Sequence, residues 1–491
     1  METIYQQTTI CAQASAAGQG AVAIVRMSGK DSFGIIAKIL KNSKGEAFSK
    51  PLDRRARFGT IVAEDGTILD EVVAIAFQAG HSYTGEDSVE IYCHGSDYIV
   101  SQILKLLIGC GASMAAPGEF TKRAFLNGRL DLAQAEAVAD LIASETAASH
   151  DVAINQIKGG YSAELRAMRE ELVNMVSLME LELDFSEEDV EFADREQLST
   201  LLTKVLFHID TLMESFSLGN VIKNGVPTAI IGATNTGKST LLNALLREER
   251  AIVSDIAGTT RDTIEDTINI DGVTFRFIDT AGIRSTKETI EIIGIERTFS
   301  TITKASVVLM VLDATRPEYF EESLATLAPR LSSGQQLFIL LNKLDVAYGN
   351  SEDASLEELS MIDKGNKVAK AVQCISQMAE NQNLSPIAII PISAKQRYGV
   401  EKLTSALIDS HKSLKNRSLN GQMVTNLRHY QALKDARESL TRVEEGITAS
   451  ISTEFISQDI RQALYHIGTI TGEVTSDEIL GNIFRRFCIG K

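Results

Sequence analysis

Gly232-Ala233-Thr234-Asn235-Thr236-Gly237-Lys238-Ser239 carries the spacing G-x-x-x-x-G-K-[ST] of a phosphate-binding loop. The apolar run Ala229-Ile230-Ile231 precedes it and Thr240-Leu241-Leu242-Asn243-Ala244-Leu245-Leu246 follows, so the loop falls between a buried strand and a helix. Phosphate chemistry asks for these residue types. Glycines let backbone N–H groups curl round phosphate oxygens, Lys238 places a point charge on them, and Ser239 offers a hydroxyl to Mg2+. A glycine turn ahead of an ordinary helix would look the same in isolation. The stretches downstream decide between the two.

Asp279-Thr280-Ala281-Gly282 follows the apolar run 274–278, where a carboxylate reaches Mg2+ through water and a glycine N–H senses the γ-phosphate. Asn342-Lys343-Leu344-Asp345 follows another apolar run, and Asp345 can accept two hydrogen bonds from guanine N1–H and N2–H2. Adenine cannot supply that pair. Ser393-Ala394-Lys395 completes a base pocket after the last strand. Four motifs in this order, each at the carboxyl end of a strand, point to a guanine-nucleotide-binding fold. Between the first two lies 251–262, at the place of a switch loop. There Gly258-Thr259-Thr260 presents carbonyls and hydroxyls rather than a charged finger, so hydrolysis needs positive charge from elsewhere. A monovalent cation could supply it.

The bulk numbers bound the rest. A chain of 491 residues is too long for one ordinary core and suggests about three domains. Hydrophobic content of 44% with 23% charged is globular composition. No run approaches the ~18 apolar residues of a membrane helix, and the start Met1-Glu2-Thr3-Ile4 lacks the layout of a signal peptide. A cytoplasmic protein is expected. Cys11, Cys93, Cys110, Cys374 and Cys488 are scattered, which favours neither a disulfide framework nor a zinc site. The net charge of -17 excludes a protein that coats nucleic acid through a general basic field, so RNA contacts must be local.

Along the chain, 21–27 reads as a strand, 31–41 as a short helix, and 58–62 with 71–77 as a strand pair turned at Asp65-Gly66. A further strand at 88–93 and a helix at 97–108 complete a compact α+β domain. From about 121 to 218 the apolar spacing turns helical, as at Leu165, Met168, Leu172, Met175, Val176 and Met179. Between Glu180 and Glu196 nine acidic side chains accompany one arginine, which reads as a solvated acidic face ahead of a cation site. Asn224-Gly225-Val226-Pro227 opens the nucleotide-binding region, whose runs at 267–270, 274–278, 307–312, 337–341 and 387–390 suit a parallel sheet covered on both faces. The polar stretch 346–385 is an excursion containing a helix. Beyond 410 the pattern is helical again, so one helical domain built from both flanks, with the nucleotide-binding domain inserted, is the economical arrangement.

Several stretches resemble the MnmE (TrmE) family of tRNA modification GTPases. They are Gly-Gln-Gly-Ala-Val-Ala-Ile-Val-Arg-Met-Ser-Gly (18–29), Tyr-Thr-Gly-Glu-Asp-Ser-Val-Glu (83–90), Pro-Gly-Glu-Phe-Thr-Lys-Arg-Ala-Phe-Leu-Asn-Gly (117–128), Leu-Asp-Leu-Ala-Gln-Ala-Glu (130–136), the GTPase motifs, and the terminal Phe-Cys-Ile-Gly-Lys (487–491). The resemblance covers essentially the whole chain. It implies a multidomain α/β protein: an α+β folate-binding and dimerisation domain over 1–125, a discontinuous all-α domain over 126–222 and 411–491, and an inserted P-loop, Ras-like GTPase domain with a mostly parallel sheet over 223–410.

The resemblance also implies roles. Asn235, Ser254, Ile256 and Thr259 would hold a potassium ion in the place of an arginine finger, and Ser239 with Thr260 would hold Mg2+. Asn235, Thr236, Gly237, Lys238, Ser239, Thr240, Ser254, Ile256, Ala257, Gly258, Thr259, Thr260, Asp279, Thr280, Ala281, Gly282, Asn342, Lys343, Asp345, Ser393, Ala394 and Lys395 would bind the nucleotide. Glu291 would orient the attacking water, although a bare reading makes it a solvated helix residue. Arg26, Glu90, Arg129 and Lys491 would contact a one-carbon tetrahydrofolate, 5-formyl or 5,10-methylene. Arg129 replaces the lysine of the family pattern, a bidentate fork for a point charge. Read without the resemblance, Arg26 also suits a strand-end ion pair.

Cys488 stands four from the end, but Gly490 and Lys491 fit a prenylation box poorly, and the resemblance places the thiol in the modification reaction. Arg485, Arg486 and Lys491 beside it would favour the thiolate. The implied function is modification at C5 of a tRNA wobble uridine by a homodimer working with an FAD-dependent MnmG (GidA)-type partner, which would supply the FAD/NADH chemistry in a heterotetramer or larger assembly. This chain has no dinucleotide fingerprint of its own. A regulatory or ribosome-assembly GTPase would share the four nucleotide motifs but not the folate-type N-terminus or the Cys488 tail.

Overall fold

The structure is a computed structural model that describes residues 8–42, 45–46, 55–63, 65–184, 195–248, 266–278, 301–349, 355–363, 365–411, 423–449, 451–485, 487 and 489–490. The chain packs as two compact units. One comprises Met1–Ala143, Ala153–Thr211 and Gln431–Lys491, the other Ser144–Val152 and Leu212–Tyr430. Among the described residues no helix is long and apolar enough to cross a membrane.

The first unit is built on a seven-stranded sheet: β1 (Ile10–Gln13), β2 (Gly20–Ser28), β3 (Leu40–Lys41), β4 (Arg57–Val62), β5 (Ile68–Phe77), β6 (Ser88–Gly95) and β7 (Ser113–Met114), in spatial order β3-β4-β5-β6-β2-β1-β7. All neighbours run antiparallel except the short β1–β7 pair. Alternation along each strand sorts the side chains to two faces. Ala23, Val25, Met27, Val72, Ala74, Val89 and Ile91 bury against Ile35, Ile36 and Ile39 of helix Ser32–Ile39 and Val100, Ile103 and Leu107 of helix Asp97–Gly109. The opposite face carries Val22, Arg26, Phe58, Glu90 and Tyr92, and Val22 and Phe58 are 61% and 60% exposed.

The helical part of this unit brings distant segments together. Helix Gly160–Asp184 lies against helix Thr453–Thr471, with Leu165, Leu172 and Met179 of one and Ile460 and Ile467 of the other fully buried. That packing is the helical region assembled from both flanks that the apolar periodicity predicts. Its basic side chains are matched by acids: Arg442 to Asp459 at 2.8 Å, Arg169 to Glu473 at 2.6 Å, and Arg461 to Glu180. The acidic block between Glu180 and Glu196 lies mostly outside the described residues; Glu180 itself is taken up by Arg461.

The second unit holds a six-stranded sheet of β8 (Val226–Ile231), β9 (Asp266–Ile270), β10 (Val273–Phe277), β11 (Val307–Asp313), β12 (Gln336–Asn342) and β13 (Ala388–Pro391), in order β13-β12-β11-β8-β10-β9. Every neighbouring pair is parallel except the edge pair β9–β10. β11 is buried at all seven positions. Val307, Leu309 and Val311 face Leu241, Leu245, Leu403 and Leu407, whereas Val308, Met310 and Leu312 face Phe320, Leu324, Val368 and Ile375. A strand covered on both sides has no polar position to spare, hence its continuous apolar run. Among the described residues, the stretch between β12 and β13 holds helices Leu344–Tyr348, Leu356–Asp363 and Asn366–Asn381. Strands β1, β3 and β7 add to the first sheet beyond the elements read from the sequence; each has four residues or fewer, too short for a period to register.

Candidate functional site

β8 ends at Ile231, and the chain then turns through Gly232–Gly237 into helix Lys238–Glu248. The turn demands its glycines. Gly232 has φ +150° and a Cβ there would fall 2.4 Å from Val311 O; Gly237 has φ +97° and a Cβ would fall 2.3 Å from Asn342 Nδ2. Asn235 adopts φ +63°, a left-handed conformation that asparagine tolerates better than most residues, and its side chain is exposed at the crest. Lys238 folds back over the loop, Nζ donating to Gly232 O at 2.9 Å and Ala233 O at 2.8 Å. Its burial lowers the pKa of the ammonium. Thr236 is buried and donates through Oγ1 to Ala233 O at 3.0 Å. Ser239 and Thr240 lie in the first turn of the helix.

One of the residues expected to read the base reaches the same loop. Asn342, at the end of β12 and 2% exposed, donates through Nδ2 to Thr236 O at 2.8 Å and accepts at Oδ1 from the Ala394 N–H at 2.9 Å. One side chain therefore fastens the phosphate loop to the Ser393-Ala394-Lys395 turn. Ser393 and Ala394 are buried, and Lys395 is exposed. Lys343, at φ +65°, pairs with Asp313 Oδ2 at 2.7 Å. Burial alone would push the Asp313 carboxyl up, but hydrogen bonds from Lys343 and Thr315 outweigh it and hold it below its ordinary range. Asp345 is 2% exposed, and its Oδ1 has no hydrogen-bond partner among the described residues. A buried carboxylate oxygen without a donor is costly, and the N1–H and N2–H2 edge of guanine is the donor set it fits.

The first unit holds a second cluster. Arg26 on β2 and Glu90 on β6 are direct register partners, and Arg26 Nε and Nη2 both reach Glu90 Oε1, at 3.0 and 2.8 Å. Tyr92 donates to Glu90 Oε2 at 2.9 Å. The guanidinium stands over the rings of Tyr83 at 5.5 Å and Phe120 at 5.8 Å. Arg26 thus forms the ion pair that its strand position suits, and it keeps 21% of its side-chain surface open. Arg129 donates to Gly80 O at 3.2 Å, on the loop that also carries Tyr83. Beneath that loop Arg123, 3% exposed, joins Glu86 at 3.1 Å, Glu119 at 2.9 Å and Thr8 O at 2.8 Å. Ser254, Ile256, Ala257, Gly258, Thr259, Thr260, Asp279, Thr280, Ala281, Gly282, Glu291, Cys488 and Lys491 lie outside the described residues.

A family model of the MnmE helical domain matches residues 132–488, and one of the GTP-binding protein TrmE N-terminus matches residues 9–129. The tRNA modification GTPase MnmE of Parabacteroides distasonis is 48% identical over 488 residues, covering 99% of this chain and 100% of that protein. MnmE of Bacteroides fragilis is 50% identical over 487 residues, with 99% and 100% covered. The chain belongs to the MnmE family of tRNA modification GTPases.

The MnmE match reaches both clusters: Arg26 and Glu90 fall within the N-terminal span, and Gly232–Ser239, Asn342 and Asp345 within the longer one. Three contributions escaped the sequence reading. Asp313 anchors Lys343, and its signal was a carboxylate closing a wholly apolar strand. Tyr83 and Phe120 flank Arg26, and they became visible only once β2, the 80–87 loop and helix Glu119–Leu126 were assembled. The buried Arg123–Glu86–Glu119 group lies inside the quoted family stretches but carried no role there.

Proposed function

We propose that this protein is a potassium-activated GTPase which, with an FAD-dependent MnmG-type flavoprotein, installs an aminomethyl or carboxymethylaminomethyl group at C5 of the wobble uridine of tRNA. The observation that carries the reading is similarity to MnmE proteins at 48–50% identity along 99% of the chain, so that the nucleotide pocket and the Arg26–Glu90 cluster come together in one polypeptide. The orphaned Asp345 oxygen and the Asn342 bridge support GTP as the nucleotide. Domains at 1–125, 126–222 with 411–491, and 223–410 accompany the proposal, as does a cytoplasmic location. The open face of the seven-stranded sheet, with Val22 and Phe58 exposed, supports a homodimer.

Asn235, with Ser254, Ile256 and Thr259, would hold K+, and Ser239 with Thr260 would hold Mg2+. An amide oxygen and hydroxyls are the hard donors such cations take. A bound cation would neutralise charge developing on the transferred phosphoryl group. Asn235 fits on its position at the exposed crest of the loop. GTP turnover is expected to fall about tenfold or more when Na+ replaces K+, since a positive charge in this position supplies a large part of the acceleration in related hydrolases. Equal turnover in the two salts would remove the cation from the proposal.

Arg26, Glu90, Arg129 and Lys491 would hold the one-carbon tetrahydrofolate, which supplies the carbon that is transferred. Arg26 brings a charged fork with open surface, and Glu90 an acceptor for pterin N–H groups. Arg26→Ala is expected to weaken binding of 5-formyltetrahydrofolate by roughly ten- to a hundredfold, as for loss of one or two charge-assisted hydrogen bonds. Titration calorimetry measures this, with GTP turnover as a control that should not change. An unaltered folate affinity would move the site away from Arg26.

A further inference from the structure

The 80–87 loop is held from beneath by charge that water does not reach. Arg123, on helix Glu119–Leu126, is 3% exposed, and its guanidinium joins three segments. Nη1 donates to Glu86 Oε2 at 3.1 Å and to Thr8 O at 2.8 Å, and Nη2 donates to Glu119 Oε1 at 2.9 Å. Glu86 is gripped from its other side by Ser28, at the end of β2, which donates to Oε2 at 2.8 Å. That uses the only proton of the Ser28 hydroxyl, so the 2.7 Å contact between Ser28 Oγ and Thr84 Oγ1 has Thr84 as donor. Ser28 and Thr84 are both fully buried. Asn127, just past the helix, donates to Thr84 O at 2.7 Å.

A buried ion group adds little net stability over a packed apolar core, because desolvation offsets the attraction. What a rigid guanidinium fork with several fixed partners does supply is placement. The loop placed in this way supports two arginines from different elements. The Tyr83 ring lies 5.5 Å from the Arg26 guanidinium, with its hydroxyl 2.9 Å from Thr121 Oγ1. Gly80 O accepts from Arg129 at 3.2 Å. Gly85, at φ +81°, backs onto the same arginine: a Cβ there would fall 3.2 Å from Arg129 Cγ and 3.1 Å from Asn127 Cβ. Arg26 on β2 and Arg129 beyond the helix are thus set against one loop, and Glu86 is the residue by which Arg123 holds that loop.

We propose that Arg123 is a positioning residue: through Glu86 it fixes the 80–87 loop, and through that loop the orientation in which Arg26 and Arg129 meet a ligand. That the ligand is a one-carbon tetrahydrofolate rests on the function proposed above. Arg123 itself is closed off by burial and makes no ligand contact. The nucleotide loop belongs to the other compact unit and is expected to keep its activity.

The test compares full-length wild type with Arg123→Met, with Arg123→Met joined to Glu86→Gln and Glu119→Gln, and with Tyr83→Ala alone and combined with Arg123→Met. Hydrogen–deuterium exchange of the peptide 78–88 reads the loop, calorimetric titration with 5-formyltetrahydrofolate reads the site, and melting temperature and GTP turnover read integrity. Arg123→Met strands two buried carboxylates, so it should melt lower, exchange the loop about tenfold faster and bind the folate about tenfold more weakly, with GTP turnover kept. In the triple variant the buried charge is gone and the melting temperature should recover, while loop exchange stays fast and affinity stays weak. In the Tyr83→Ala background the cost of Arg123→Met in affinity should shrink to about threefold, as for residues that act through one loop. Loop exchange at the wild-type rate in Arg123→Met would overturn the positioning role. So would an affinity that recovers together with the melting temperature in the triple variant, or an undiminished cost beside Tyr83→Ala. If wild type binds no 5-formyltetrahydrofolate, the folate reading falls, while the exchange measurement still decides whether Arg123 sets the loop.

Discussion

Asp345→Asn is expected to weaken GTP binding by about a hundredfold or more and to shift preference toward xanthosine triphosphate. The carboxylate is buried, with Oδ1 free of partners among the described residues, and it offers acceptors only. Guanine presents two donors to it, each charge-assisted bond contributing about 1.5–3 kcal/mol. Asparagine keeps one acceptor and turns the other into an NH2 donor, which meets a guanine N–H head-on. Xanthine carries a carbonyl at that edge and accepts the new donor. Without nucleotide the substitution replaces a buried carboxylate whose Oδ1 lacks a donor among the described residues, so the melting temperature should hold or rise while affinity falls. Fluorescence titration with labelled GTP and competing xanthosine triphosphate measures the exchange. A GTP affinity within threefold of wild type would mean that Asp345 does not read the base.

Asn342→Ala is the second large effect, and it should strike stability and affinity together. Its amide makes two buried backbone hydrogen bonds, to Thr236 O and from the Ala394 N–H. Removing it strands a carbonyl and an N–H in a closed interior, at about 2–4 kcal/mol for the pair. For a unit of this size that corresponds to a melting temperature lower by roughly 5–15 °C. Nucleotide affinity should fall with it, since the phosphate loop and the base-pocket turn are no longer tied together. A double-mutant cycle sharpens the point. Gly237→Ala would press a Cβ to 2.3 Å from Asn342 Nδ2, so its cost should shrink, though not vanish, once Asn342 is alanine. Additive costs, or an Asn342→Ala protein that melts with wild type, would show that the bridge carries no weight.

The inserted sheet was legible because its central strands are buried on both faces and so write continuous apolar runs, as at Val307–Asp313 and Gln336–Asn342. The helical region was legible from its period, and its assembly from two flanks followed from helical patterns on either side of the sheet. The role expected of Asp345 rests on the chemistry of guanine, which asks for an acceptor at that point in the motif. Asn342 could not be read as a bridge, because its partners Thr236 and Ala394 lie 106 and 52 residues away, and only the packed strands bring them within reach. The Arg26–Glu90 contact has the same origin. It depends on β2 pairing with β6 in one register across 64 residues, and a shift by one residue would send Glu90 to the other face. β1 escaped notice for a different reason: four residues carry too little pattern, yet its Ala12 is the register partner of Arg26.

Nucleoside analysis of tRNA from cells lacking this protein tests the proposed function most directly. The C5-modified wobble uridines should disappear from the digests and return with the wild-type gene, but not with Cys488→Ser. Wobble uridines that keep their modification in the deletion strain would contradict a role in tRNA modification and leave a guanine-nucleotide switch acting on something else.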